Sequence, residues 1–201
     1  MELKDNIPVF HARSQKEWRK WLLKNHLSEK SVWLIIYRKE SKVPSVYYPE
    51  AVDEALCFGW IDSKANKRDD KSYYQFFSKR NPKSNWSKIN KLKVEKLLAN
   101  QLIAPAGLEV IAIAKQNGNW DALEEVDNLI IPAELQLAFN QNKTAFENWE
   151  NFSRSSRRGI LEWILNAKRA ETRIKRIETT VQLAMENIKA NHSMKTSRRV
   201  K

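Results

Sequence analysis

The spacing of apolar residues changes character once along this chain, near residue 84. Upstream of that point two periods alternate. "SQKEWRKWLLKN" (14–25) predicts a helix, with Trp18, Trp21 and Leu22 on one face and Ser14 and Glu17 in the form of a capping box. "SVWLIIYRK" (31–39) is an unbroken β-branched and aromatic run, the pattern of a strand buried on both faces. "SVYY" (45–48) predicts the end of a short strand. Pro49 then starts a helix over "PEAVDEALCFG", with Val52, Ala55 and Leu56 inward and Gly59 as a left-handed cap. "WIDSKANK", a polar "RDDKS" turn and "YYQFFSKR" together form a hairpin signal.

Downstream, apolar residues recur at helical steps. Ser84 is placed as the N-cap of a helix whose stripe is Trp86, Asn90, Val94 and Leu97. A second helix opens at Pro105 and closes at Gly118, and "IPAELQLAFNQN" and "KTAFENWENF" predict two short ones. The stripe Ile160, Ile164, Ala167, Ile174, Ile177, Val181, Ala184 and Ile188 then predicts one long amphipathic helix, or two with a break. The fold class expected is α+β. A small α/β half with a short antiparallel sheet (1–83) is followed by an all-helical half (84–190) ending in a basic amphipathic helix, then by a flexible basic tail (191–201).

Composition narrows the function classes. A hydrophobic share of 42% and a charged share of 30% suit a soluble globular protein. A single Cys excludes an internal disulfide framework and fits a reducing compartment. No apolar run approaches the roughly 18 residues of a membrane span, and the N-terminus has no signal-type apolar block, so a cytoplasmic protein with no integral membrane segment is expected. The net charge of +12 is uneven. Residues 64–100 hold 11 Lys and Arg against 3 Asp and Glu, residues 101–153 hold 2 against 8, and the remainder to the C-terminus holds 13 against 4. Either these segments neutralise one another within the fold, or they present a surface to a polyanion such as nucleic acid or anionic lipid.

Candidate chemistry gathers between Glu54 and Arg80. Cys57 stands near the C-terminal end of its helix, where the dipole disfavours a thiolate, between Leu56 and Phe58, so it reads as a buried structural thiol. One Cys and three scattered His offer no zinc spacing, and the acidic residues lack the pattern of a calcium loop, so no metal and no cofactor are expected. In an alternating strand starting at Trp60, residues 60, 62, 64 and 66 share a face, which sets Trp60, Asp62, Lys64 and Asn66 in line. That line is either a surface ladder or one wall of a polar pocket. Asn90, alone on its apolar stripe, reads as an organiser of buried hydrogen bonds. Basic residues recur around Trp86 (Lys79, Arg80, Lys83, Lys88) and on the last helix (Arg169, Arg173, Arg176), without a Gly-rich phosphate loop or a paired-aromatic nucleic-acid motif.

Four motifs in order, "YPEAVDEALCFGWIDS", "FSKRNPKSNWSKIN", "PAGLEVIAIAKQNGNW" and "SRSSRRGILEWILNAKRAETRIKRI", resemble the YdeI/OmpD-associated family, from about Phe10 to Ile188. Its members are described as bacteriocin-protection or stress-related proteins of bacteria. The resemblance implies no reaction and no catalytic residues to carry over. The sequence departs from the family pattern at "NQLIAP" and at Lys79. The function expected is therefore a non-enzymatic binding protein with a polar, aromatic pocket between its two halves, lined by Trp60, Asp62, Lys64, Arg80, Trp86 and Arg173. Aromatic walls with one acid and several cations suit a small anionic or zwitterionic ligand. A nucleic-acid binder using the basic segments, and an enzyme of unknown reaction, are the competing readings.

Overall fold

In the computed structural model, which describes residues 2–191, the chain opens with a hairpin that the hydrophobic pattern does not announce. Strands β1 (Leu3–Lys4) and β2 (Ile7–His11) are joined by Asp5 and Asn6, both with positive φ (55° and 59°). Two consecutive left-handed residues make the tight turn that matches strand twist, and Asp and Asn tolerate it. Helix α1 (Gln15–Asn25) starts as expected, the Ser14 hydroxyl accepting from the Glu17 N–H (3.3 Å). The reciprocal bond reaches one residue further back, from the Arg13 N–H to the Glu17 carboxylate (2.9 Å).

Strand β3 (Ser31–Tyr37) is buried at five consecutive positions, as its unbroken apolar run requires. The segment "SVYY" forms no strand. Val46 makes one backbone bond to Ala12 (3.0 Å), and helix α2 (Tyr48–Cys57) follows directly, its first turn closed by the Tyr47 N–H on Glu50 (3.0 Å). Gly59 adopts φ +71° and turns the chain into β4 (Trp60–Lys67), which pairs with β5 (Ser72–Lys79). The sheet order is β1-β2-β3-β5-β4. It is mixed rather than purely antiparallel, because β2 and β3, linked through α1, run parallel.

Helices α3 (Lys88–Ala99) and α4 (Pro105–Gln116) pack on α2. The N-cap of α3 is Ser87, not Ser84, since Ser87 Oγ accepts from the Asn90 N–H (3.3 Å). Asn90 itself is half-buried on this stripe. Gly107 lets α4 approach α2 closely: a Cβ there would lie 2.4 Å from the Cys57 carbonyl oxygen. By packing, the chain divides into two units between Ala122 and Leu123, downstream of the change in sequence pattern at residue 84, because α3 and α4 share a core with α1, α2 and the sheet.

The second unit holds α5 (Glu124–Asp127), α6 (Ala133–Asn140), α7 (Lys143–Asn151), α8 (Arg154–Leu165) and α9 (Ala170–Met185). The long C-terminal pattern thus resolves as two helices with a break at 166–169. Ile160, Ile164, Ile177, Val181 and Ala184 of the expected stripe are buried, whereas Ile174 and Ile188 are exposed. Acidic and basic segments pair inside this unit: Arg158 with Asp127 and Glu162 (2.7 Å each), Arg157 with Glu150 (3.0 Å), and Arg173 with Glu134 (3.4 Å). Among the described residues no helix is long and apolar enough to cross a membrane. The expected basic tail lies outside the described residues apart from Asn191.

Candidate functional site

The Gly59 turn and the end of β5 position the residues singled out in the sequence. Trp60 enters the core: it is 1% exposed, meets Trp21 edge-on (5.9 Å between ring centres), and donates from Nε1 to the His26 carbonyl (3.3 Å). Asp62 lies opposite Phe77 in the ladder, on the helix-covered face, and accepts a hydrogen bond from the Tyr48 hydroxyl (2.7 Å). Beyond it the alternation fails. Asp62 pairs with Phe77 but Ala65 pairs with Gln75, so β4 carries one extra residue, a bulge that reverses which side chains face which way. Lys64 therefore projects from the opposite face, its ammonium above Trp33 (5.3 Å) and Phe76 (5.5 Å), and the four-residue line from Trp60 to Asn66 does not form.

Arg80 is tied to the turn through its backbone N–H, which donates to Gly59 O (2.9 Å). Its side chain is 6% exposed, with the guanidinium stacked 3.7 Å from the Trp86 ring centre and Nη2 donating to Asn85 O (2.6 Å). Among the described residues Nε and Nη1 have no hydrogen-bond partner. Burial lowers this guanidinium to about 10, against the opposing pull of the Asp62 charge. Trp86 is buried and tilts against Trp120 (4.9 Å). Of the six residues, then, Arg80 and Trp86 are in contact with Asp62 in electrostatic range. Trp60 belongs to the core, Lys64 to the other sheet face, and Arg173 to the second unit, paired with Glu134.

Asp62 leads to a feature that sequence reasoning missed. Two clefts flank the first turn of α2 and share Tyr47 and Glu50. One, of about 460 Å³, is lined by four of the five tyrosines (Tyr37, Tyr47, Tyr48 and Tyr73), with Ile36 and Pro49 and with Arg38, Lys39 and Glu40 beside them. Tyr47 and Tyr48 are each 41% exposed, and the Lys39 ammonium lies 4.9 Å from the Tyr47 ring centre. Burial and the bond to Asp62 push the Tyr48 hydroxyl up to about 12, so it remains a neutral donor. The signal in the sequence was the Tyr47–Tyr48 pair ahead of a helix-starting proline: adjacent side chains leaving one turn cannot both enter a core. The other cleft, of about 560 Å³, lies beside the buried Glu54. Glu54 accepts from Gln15 (2.8 Å) and pairs with Arg19 (2.7 Å), and Arg19 also donates to Leu102 O (2.8 Å).

Cys57 sits behind this pair, 1% exposed, its thiol pushed up to about 11 by burial despite the counteracting Arg19. A thiol held that high is protonated at neutral pH and is a poor nucleophile. Among the described residues, five of the eleven cations of the basic segment 64–100, besides Arg80, bond within its unit: Lys67 with Asp70, Arg68 with Asp69, Lys91 with Asp121, Lys93 with Asp53, and Lys79 with Leu27 O.

Two family models match the chain. Residues 10–110, just over half of it, match a model described as Domain of unknown function (DUF8412). Residues 128–187 match one described as Bacteriocin-protection, YdeI or OmpD-Associated. No curated protein and no solved structure matches the chain. The resemblance to the YdeI/OmpD-associated family thus rests on the C-terminal segment, which contains "SRSSRRGILEWILNAKRAETRIKRI", while the motifs around Cys57 and Trp86 fall under the other model. The chain belongs, through residues 10–110, to the family described as domain of unknown function DUF8412, and it carries at residues 128–187 a bacteriocin-protection, YdeI or OmpD-associated domain.

Proposed function

We propose that this chain is a non-enzymatic binding protein whose tyrosine cleft takes a small anionic or zwitterionic ligand with a flat body. Any protective role it shares with bacteriocin-protection proteins would act through that ligand. One observation carries the reading: a cleft of about 460 Å³ walled by four of five tyrosines. Its volume falls within the roughly 300–1,000 Å³ of ordinary small-molecule sites, and its mix of aromatic walls and a few polar groups is theirs too. Arg38 and Lys39 supply positive charge at one side. Asp62 orients the Tyr48 hydroxyl, which keeps Asp62 in the site without direct ligand contact. The buried, protonated Cys57 supports a binding role over thiol chemistry.

Isothermal titration against a panel of nucleotides, aromatic carboxylates and amino acids tests this. At least one member is expected to bind, and Tyr47→Ala and Tyr48→Ala are each expected to weaken that binding about tenfold or more at unchanged circular dichroism. Binding that survives both substitutions, or a panel with no binder, removes the reading. In cells, Asp62→Ala is expected to leave the fold intact and abolish protection.

A further inference from the structure

The sheet has a second face, and its chemistry differs from that of the cleft. Val9, Trp33 and Ile35 form a small buried cluster there, flanked by the half-buried Ile7, Tyr37, Tyr74 and Phe76, and every member of this cluster lies on a strand. Trp33 meets Tyr74 (6.1 Å) and Phe76 (4.9 Å) edge-on, so three rings are tiled across neighbouring strands. Cations lie over these rings. Lys4 is 5.2 Å from Trp33 and 5.4 Å from Tyr74, Lys64 is 5.3 Å from Trp33 and 5.5 Å from Phe76, and Arg68 is 5.9 Å from both Tyr37 and Tyr74. The bulge after Asp62 is what sends Lys64 to this face. The Trp33 indole N–H, fully buried here, has no partner among the described residues.

We infer that this face is a docking platform for single-stranded nucleic acid. Unpaired bases would stack on Tyr37, Tyr74 and Phe76, with Lys4, Lys64 and Arg68 taking phosphates. Sequence-tolerant binding of single strands uses π-faces interleaved with cations, and both are present on one sheet surface. A base and an ammonium compete for the same ring face, so a base that displaces Lys64 leaves its charge free beside the phosphate. The protein's net charge of +12 favours the approach of a polyanion. A duplex fits worse, because its bases are already stacked and cannot use the rings. Acidic neighbours set the strength: Asp5 lies near Lys4 (3.5 Å), Asp69 pairs with Arg68 (3.1 Å), and Glu2 accepts from the Tyr74 hydroxyl (3.2 Å). Three phosphate contacts against such competitors give binding that appears at low salt, with a log–log salt slope of about −2.

The test is fluorescence anisotropy of labelled oligo-dT and oligo-U of about a dozen nucleotides, titrated with the full chain across a salt series. Lys64→Gln and Phe76→Leu are compared with wild type after their circular dichroism melts are checked. Phe76→Leu keeps an apolar side chain and removes only the ring, and the exposed Lys64→Gln provides a second readout should the first variant misfold. Expected are binding with the stated slope, a loss of about fivefold or more in each folded variant, and weaker binding of a duplex of equal length. No binding at low salt overturns the inference. So does unchanged affinity in the folded variants, which would place polyanion binding elsewhere on the chain. Equal, variant-sensitive binding to vesicles of anionic lipid would replace nucleic acid with a membrane surface.

Discussion

Gly107→Ala probes how tightly α4 seats on the end of α2. A Cβ at this position would stand 2.4 Å from the Cys57 carbonyl oxygen, 2.9 Å from its carbonyl carbon and 2.7 Å from Ile103 Cγ2. Ordinary van der Waals contact begins at 3.4 Å, so α4 must retreat by about 1 Å from rigid backbone. The same carbonyl oxygen accepts from the Ala104 N–H at 2.9 Å, and that retreat would carry the bond out of range. Losing it costs about 1 kcal/mol, and overpacking typically costs about 1–3 kcal/mol more. Against this stands the better helix propensity of Ala, about 1 kcal/mol. The net expectation is a destabilisation of about 1–3 kcal/mol. Urea unfolding followed by tryptophan fluorescence reads it, since six of the eight tryptophans precede residue 123. With an m-value of about 1–3 kcal/mol/M, the midpoint should fall by roughly 1 M. A midpoint at or above that of wild type would refute the close-approach reasoning. Gly159→Ala is the opposite case: nothing lies within 4 Å of its Cβ position in α8, so about 0.5–1 kcal/mol of stabilisation is expected by far-UV circular dichroism.

Further predictions concern the polar groups. Cys57 should resist a thiol-reactive disulfide reagent in the native protein at pH 8 and react fully in denaturant; rapid native labelling would contradict its burial. Its folded pKa is raised, so the contribution of the neutral thiol is complete below about pH 9 and is lost as pH rises towards 11. Stability measured between pH 9 and 11 should therefore decline less steeply in Cys57→Ala than in wild type, and parallel slopes would refute the assignment. Glu54→Gln leaves Arg19 without its carboxylate and should cost about 1–3 kcal/mol, discounted because Arg19 is partly exposed; an unchanged urea midpoint would show the pair to be neutral. Tyr48→Phe should remove one tyrosine's ionisation near pH 12 from an alkaline absorbance titration at 295 nm, and a titration unchanged in that range would refute the assignment.

Local physics was legible in the sequence wherever a few neighbouring residues decide the outcome. The Ser14 cap, the unbroken apolar strand 31–37, the helix running from Pro49 towards Gly59 and the 60–79 hairpin all follow from capping, propensity and left-handed backbone. The Asp5–Asn6 turn was equally local, but a two-residue strand offers too little hydrophobic pattern to mark it. The site was less legible. Alternation placed Lys64 beside Asp62, yet a single extra residue in β4 moved it across the sheet, because side-chain parity is set by the pairing partner and not by the strand alone. The tyrosine cleft joins residues near 37, 48 and 73, which only the packing of α2 on the sheet brings together.

By itself, then, the sequence determined the fold class, the burial of Cys57 and most helices and strands, since these depend on periodicity and short-range chemistry. Only the tertiary structure decided which face each charge occupies and that α3 and α4 belong with the sheet. It also stacked Arg80 on Trp86 with two of its nitrogens unpartnered among the described residues. Those outcomes depend on contacts between residues far apart in the chain, whose pairing no local pattern encodes.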